Sequence, residues 1–211
     1  MSKVAVIFLN YGERTGYTDK VLASVNRAGY HFDLNIVDHK GIAAAINKGI
    51  SEMPGYDYYA ILANDILLPN NWLRGMVSCH ERLPNTGISG IHCVETLPEK
   101  DANGVHPTWC PFGDWLISAK VINEIGGFNT DHDPYGMQDS DYGYRATKAG
   151  FYNYYIPNLK AEHIGHDVGN GTPYRAMKDE SLARAGQVYF EGVERYNQTN
   201  NLYLPYNDGT N

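Results

Sequence analysis

Three short runs in this sequence hold residue types that can do chemistry. The first is Tyr59-Ala60-Ile61-Leu62-Ala63-Asn64-Asp65-Ile66, where an apolar run ends on Asn64 and a carboxylate. An acid at the tip of a buried strand suits a divalent cation, because hard cations prefer carboxylate oxygen and bridge a diphosphate well. Standing alone, the same acid would only cap a turn. The second run is Tyr135-Gly136-Met137-Gln138-Asp139-Ser140-Asp141, with Arg145 one helical turn further on. Acids in a first helical turn are favoured by the helix dipole. A carboxylate beside a crevice can also take a proton from an attacking hydroxyl. Asp141 and Arg145, four residues apart, have the spacing of a pair on one helix face. The third run is Glu162-His163-Ile164-Gly165-His166-Asp167, followed by Gly169-Asn170-Gly171-Thr172. Imidazole and carboxylate after a strand would complete a metal site begun by Asp65; as a bland alternative, the two histidines are simply surface residues.

These groups need elements to carry them. Val4 to Leu9 is a continuous apolar run ending at Asn10-Tyr11-Gly12, the pattern of a strand buried on both faces. Val21, Leu22 and Val25 line one face of a helix over Thr18 to Ala28, with Gly29 as its stop. Phe32 to Val37 reads as a strand, Gly41 to Ile50 as a helix, Tyr58 to Leu62 as a strand and Trp72 to Leu83 as a helix. This alternation implies a parallel sheet covered by helices. Ligands of such sheets bind beyond the carboxyl ends of the strands. Asn10, Asp38 and Asp65 stand at those ends and are expected in one crevice.

Further along, Gly87 to Val94 reads as a strand and Glu95 to Thr108 as a polar loop. Gly113 to Ile117 is a short strand leading into an Ala119 to Ile125 helix. Gln138 to Ala149 is a helix, Phe151 to Ile156 a Tyr-rich strand and Glu180 to Arg195 a C-terminal helix. The tail from Asn197 is expected to be extended or loosely held.

The bulk properties narrow the function. The 211 residues suit a single domain able to bury a core. A net charge of -7 argues against nucleic acid as the default partner. Cys79, Cys93 and Cys110 are an odd count with no CxxC pair, which fits free thiols in a reducing compartment rather than a zinc site. No stretch approaches the roughly 18 apolar residues of a membrane span, and the N-terminal run lacks signal-peptide features, so the expectation is a cytoplasmic protein.

Taken together, the order of motifs resembles the GT-A glycosyltransferases, and most closely glycosyltransferase family two. The matching residues begin with Asn10-Tyr11, Val37-Asp38 and the G-x-x-x-A-x-N-x-G helix from Gly41 to Gly49. Leu62-Ala63-Asn64-Asp65 stands where the DxD motif belongs. Trp115-Leu116-Ile117-Ser118, Ile125-Gly126-Gly127-Phe128, the run Tyr135 to Asp141 and Arg145 follow the acceptor-side pattern. The resemblance implies an α/β fold of GT-A (Rossmann-like) type, with a mostly parallel central sheet flanked by helices. It implies a glycosyltransferase domain over residues 1–175, divided into a nucleotide-sugar half (1–94) and an acceptor half (95–175), with a C-terminal helix and tail over 176–211.

It also implies roles. Asn10, Tyr11, Asp38, Lys40, Asn47 and Asn64 would bind the donor, with Asp38 on the base, expected to be uracil. Asp65 would hold Mn²⁺ or Mg²⁺, joined by His163, with His166 as the substitute for His163. Asp139 would be the catalytic base of an inverting transfer, with Asp141 second. Trp115 and Gln138 would meet the acceptor. Three departures stand out: Ala63 replaces the first acid of DxD, Gln138 replaces the acid before the base, and His39-Lys40 follow Asp38. Lys40, a cation beside the crevice, would meet a phosphate.

Two other readings stay open. One is a non-catalytic nucleotide-sugar or glycan-binding protein, which Ala63 and Gln138 make worth stating. The other is a nucleotidyltransferase, disfavoured because Asn10 to Gly16 is a poor phosphate loop. The implied partners are a nucleotide-diphospho-sugar and a glycan, glycolipid, protein or modified-DNA acceptor. The Tyr-rich tail offers a surface for a second copy in a homodimer.

Overall fold

The computed structural model describes residues 1–11, 15–93, 101–111, 113–165 and 173–208. Its elements are β1 (Val4–Tyr11), α1 (Thr15–Val25), β2 (Asp33–His39), α2 (Ile42–Glu52), β3 (Tyr58–Ala63), β4 (Ile66–Leu67) and α3 (Trp72–Arg82). There follow β5 (Thr86–His92), β6 (His106–Thr108), β7 (Trp115–Ser118), α4 (Ala119–Ile125), a 3-10 turn (Thr130–His132), α5 (Gln138–Lys148), β8 (Tyr152–Lys160), β9 (Glu162–His163) and α6 (Pro173–Thr199).

A seven-stranded sheet runs in the order β2-β1-β3-β7-β5-β8-β6. β1 pairs in parallel with β2 and β3, and β5 with β8, while β7 and β6 run antiparallel to their neighbours. Five strands therefore share one direction. β1 lies inside the sheet and is buried on both faces, which is why its residues are apolar without alternation. Val4, Val6 and Phe8 enter one core with α1 and α3. Ala5, Ile7 and Leu9 enter the other, with α2, α4 and α5.

The structure corrects several expected elements. The polar stretch Glu95 to Thr108 is not all loop, since its end forms β6 on the sheet edge. The C-terminal helix runs from Pro173 to Thr199, longer than the Glu180 to Arg195 expected. The tail is extended but docked. Gly127 donates to the Leu204 carbonyl at 2.8 Å, Leu204 donates to the Ile125 carbonyl at 3.0 Å, and Tyr196 at the end of α6 is fully buried. Gly126, with φ of +71°, turns the chain out of α4 where a side chain would run into the Leu204 backbone. Cys79 and Cys110 are buried free thiols and Cys93 is half-buried.

The second core is organised by a buried cation. Arg145 is fully buried and donates to Asp141 Oδ2 at 2.8 Å, to the Ile125 carbonyl at 2.8 Å and to the Gly127 carbonyl at 2.9 Å. Asp141 Oδ1 accepts from the Tyr196 hydroxyl at 2.9 Å, which ties in α6. Trp115, Phe128 and Tyr142 stack in sequence beside this pair, at 5.7 and 3.9 Å between ring centroids.

Replacing Arg145 with methionine would leave Asp141 buried without its cation. The expected loss is about 3–5 kcal/mol of unfolding free energy, read by denaturant titration. Burial pushes the Asp141 carboxyl up, but Arg145 and His132 outweigh it, and the net value lies below the ordinary one. Its contribution is thus present above the ordinary carboxylate pKa and is lost as pH falls through the lower folded value. Acid denaturation of the Arg145→Met variant should lack that component.

Candidate active site

A cavity of about 510 Å³ opens at the carboxyl ends of β1 and β3. Its walls come from four places. Tyr11, His39 and Lys40 close one end, and Ala63, Asn64 and Asp65 come from the tip of β3 and the turn after it. Gly136 to Ser140 carry the start of α5, and Met177, Lys178 and Leu182 bring α6 across as a further wall.

Asp65 and His163 are 98 positions apart in sequence yet meet here, with Oδ2 and Nε2 at 3.2 Å. The cause is a short two-stranded sheet, in which Ile66 of β4 pairs with His163 of β9. The Ile164 amide also donates to the Asp65 carbonyl at 2.9 Å. Two donors each about 2.1 Å from an octahedral cation lie about 3 Å apart, so this pair has the spacing of adjacent ligands. One hard oxygen and one imidazole nitrogen suit Mn²⁺ or a similar ion. Among the described residues no group of three or more His, Cys, Asp and Glu is placed to hold a metal ion. His166 lies outside the described residues.

Asp139 stands on the α5 side of the cavity. Its Oδ1 accepts from the Ser140 amide at 2.7 Å and the Ser140 hydroxyl at 3.4 Å. Burial raises its carboxyl above the ordinary value, and the Ser140 bonds pull partly back. A carboxylate so placed is a better proton acceptor than a solvated one.

The loop before it is held by Asp133. Its two carboxylate oxygens accept from the Ala43 amide at 2.8 Å and the Ala44 amide at 3.0 Å. It therefore caps α2 from 90 residues away, and the Arg184 side chain of α6 grips the Asp133 carbonyl. The peptide bond between Asp133 and Pro134 is cis.

Some expected site residues lie elsewhere. Asn47 faces inward: its side chain accepts from the Phe128 amide at 2.7 Å and donates to the Phe128 and Asn207 carbonyls at 2.9 and 2.7 Å. No donor atom remains for a ligand. Asp141 is 1% exposed and committed to Arg145 and Tyr196. Asn10 and Asp38 bond to each other at 2.6 Å and lie outside the cavity lining, because alternation along β2 turns His39 inward instead. Burial lowers the His39 pKa, favouring the neutral ring. Gln138 lines the cavity, but its amide accepts from Gly136 and donates to the His132 carbonyl, so it braces the loop.

Trp115, Tyr11, Lys40 and Asn64 do line the cavity. Asn64 donates to the Tyr11 carbonyl at 3.3 Å, which ties the tips of β3 and β1. Residues that sequence reasoning missed are His39, Asp133, Asp114 and the α6 wall. The Asp-Pro dipeptide at 133 was the one local signal. Asp114 is 1% exposed; burial drives its carboxyl well above the ordinary value.

No protein-family model matches this sequence, and no curated protein matches it. Solved structures do match by shape. The catalytic domain of Drosophila β1,4-galactosyltransferase 7, bound to xylobiose, superposes with a TM-score of 0.59 at 17% identity, over 84% of this chain and 79% of that one. A mannosyltransferase from Pyrobaculum calidifontis, bound to GDP-Man and Mn²⁺, gives 0.65 at 16% identity, over 91% of this chain and 64% of that one. GalNAc-T7 with UDP, GalNAc and Mn²⁺ gives 0.59 at 11% identity, over 77% of this chain and 44% of that one. This is a GT-A fold. The chain spans less than two thirds of the mannosyltransferase and of GalNAc-T7.

The trans cap gives a test of the geometry. Asp133→Ala removes the acceptors for two α2 amides and should lower stability by about 1–2 kcal/mol in thermal or denaturant unfolding. Asp133→Asn keeps one acceptor and should lose less.

Proposed function

We propose that this chain is a metal-dependent inverting glycosyltransferase that moves a sugar from a nucleoside-diphosphate sugar, UDP-linked by preference, to an acceptor hydroxyl. The observation that carries the reading is the single cavity lined on one side by Asp65 and His163, 3.2 Å apart, and on the other by Asp139. The GT-A fold, and the donors and Mn²⁺ that accompany the matched galactosyl-, mannosyl- and GalNAc-transferases, lend it support.

The chemistry follows from the residues. Asp65 and His163 would hold Mn²⁺ or Mg²⁺, which when bound offsets the charge developing on a departing diphosphate. Lys40 adds a cation at the same cavity. Tyr11 and neutral His39, their rings 5.5 Å apart, form the aromatic end that receives the base. An acceptor hydroxyl is a weak nucleophile, and Asp139 takes its proton as it attacks. Attack from the Asp139 wall, opposite the leaving diphosphate, inverts the anomeric centre. Trp115 offers an apolar ring edge to the sugar. α6 closes over the reacting groups and limits water, which would otherwise compete as acceptor.

Purified protein incubated with a set of nucleoside-diphosphate sugars and Mn²⁺ should release nucleoside diphosphate from one of them. Chelation, or Asp65→Ala, should abolish release. Asp139→Asn should cut kcat by about 10²–10⁴-fold while donor binding survives. Equal turnover in the Asn variant would overturn the base assignment.

The pH profile is a separate check. Asp139 must be ionised to act, and burial raises its pKa, so kcat/KM should climb with pH through a value above the ordinary carboxylate one. Ser140→Ala removes the hydroxyl contact and should shift that acid limb further up.

A further inference from the structure

Asp65 is fixed on its C-terminal side by the Ile164 amide, which donates to its carbonyl at 2.9 Å. Its N-terminal side needs an anchor too. The antiparallel ladder between β3 and β7 ends at the pair Ile61 and Trp115. Beyond that pair β7 no longer holds β3, which stays paired on its other edge alone, through Leu9 and Ala63 of the β1 ladder, and the tip Ala63-Asn64-Asp65 lines the cavity. At position 63, where an acid would stand in a full DxD motif, the side chain is a methyl group and can anchor nothing.

The anchor arrives from elsewhere. Asp114, the residue before β7, accepts the Ala63 amide on Oδ1 at 2.9 Å. Its own carbonyl accepts from the Ile91 amide of β5 at 3.0 Å, so it spans β3 and β5. It is 1% exposed, and its Oδ2 has no hydrogen-bond partner among the described residues. A buried carboxyl with one unsatisfied oxygen is expensive to keep, and an apolar residue would fill the place at lower cost. An acceptor required at this spot accounts for it.

We propose that Asp114 is a positioning residue for the cation site: by holding the Ala63 amide it sets the Ala63–Asp65 turn so that Asp65 meets His163. This rests on the metal-dependent reading above. The residue does not line the cavity and acts only through the backbone of its neighbour.

The test is Mn²⁺ binding to the full chain, read by the electron paramagnetic resonance signal of free Mn²⁺, without nucleotide or acceptor. Asp114→Leu approximates the volume and removes the acceptor. Asp114→Ser leaves a hydroxyl too short to reach the amide, and serves if the leucine variant does not fold. Asp114→Asn keeps an acceptor oxygen in place. Loss of an outer-shell partner commonly costs 10–100-fold in metal affinity, so the Leu and Ser variants should bind about tenfold or more weakly. The Asn variant should stay within about threefold of the parent, a rescue that tracks the acceptor and not the volume. Melting curves confirm that each variant is folded at the assay temperature. Parent-like binding by folded Leu or Ser variants overturns the proposal, as does an Asn variant as weak as Leu. A parent protein that binds no Mn²⁺ either alone or with a nucleoside diphosphate instead overturns the metal-dependent reading itself.

Discussion

A guanidinium taken fully out of water must find an acceptor for each of its N–H groups, and much of this molecule is arranged around that requirement at Arg145. One partner is Asp141, a turn earlier on the same helix. The others are carbonyls at the end of α4 and in the turn after it, at Ile125 and Gly127, and that of Leu202 in the tail. Tyr196 then reaches Asp141 from α6. The ion pair therefore fixes where α5 begins relative to α4 and α6. Asp139, two residues before Asp141, inherits that placement. Asp141, the second candidate for the base in sequence, is structural, its carboxylate committed to Arg145 and Tyr196.

The sheet sets the other wall. β1 sends alternate residues into two cores, and its tip, with those of β2 and β3, forms the floor of the cavity. Period-two geometry decides which polar residue of each tip faces inward. On β2 it chooses His39 over Asp38. The exposed Asp38 is then satisfied by Asn10, which itself accepts from Thr18 of α1. A polar cluster results on the α1 side of the sheet, beside the cavity and not inside it.

The parts legible in sequence were those where local pattern and final burial agree. Val4 to Leu9 is apolar throughout because it is covered twice, and the Ala119 to Ile125 helix matches at both ends. β6 was hidden because it is a short edge strand in a polar stretch, where pairing comes from β8 and not from its own residues. β4 and β9 are two residues each, too short for any period to appear, yet they bring Asp65 to His163. Asn47 and Asp141 misled for a common reason. Residue type carries over from a resemblance, but environment does not, and each had its polar atoms spent on buried neighbours.

The same long-range bonds explain how a short chain keeps two walls of a cavity at a fixed distance. α2 stands between them, following the Lys40 end and facing the α5 side. Its first turn is held by Asp133, on the loop that leads into α5 and Asp139. Its middle is held by Asn47, bonded to Phe128 and to the tail at Asn207. Gly49 lies against Ile7 so closely that a methyl group there would collide with it, which seats the helix on β1. Three contacts at different heights leave α2 little freedom to tilt. Movement of one wall must then drag the other, unless Asp133 or Asn47 lets go. The remaining surface of the cavity is α6, whose N-terminal part contributes Met177, Lys178 and Leu182. α6 is held at Tyr196 near its far end by Asp141, and beside the cavity by Arg184 on the Asp133 carbonyl and by Ala185, fully buried against Gly136. α6 is thereby tied to the α5 side of the cavity at both places, and the wall it adds is held by the same long-range bonds as the other two.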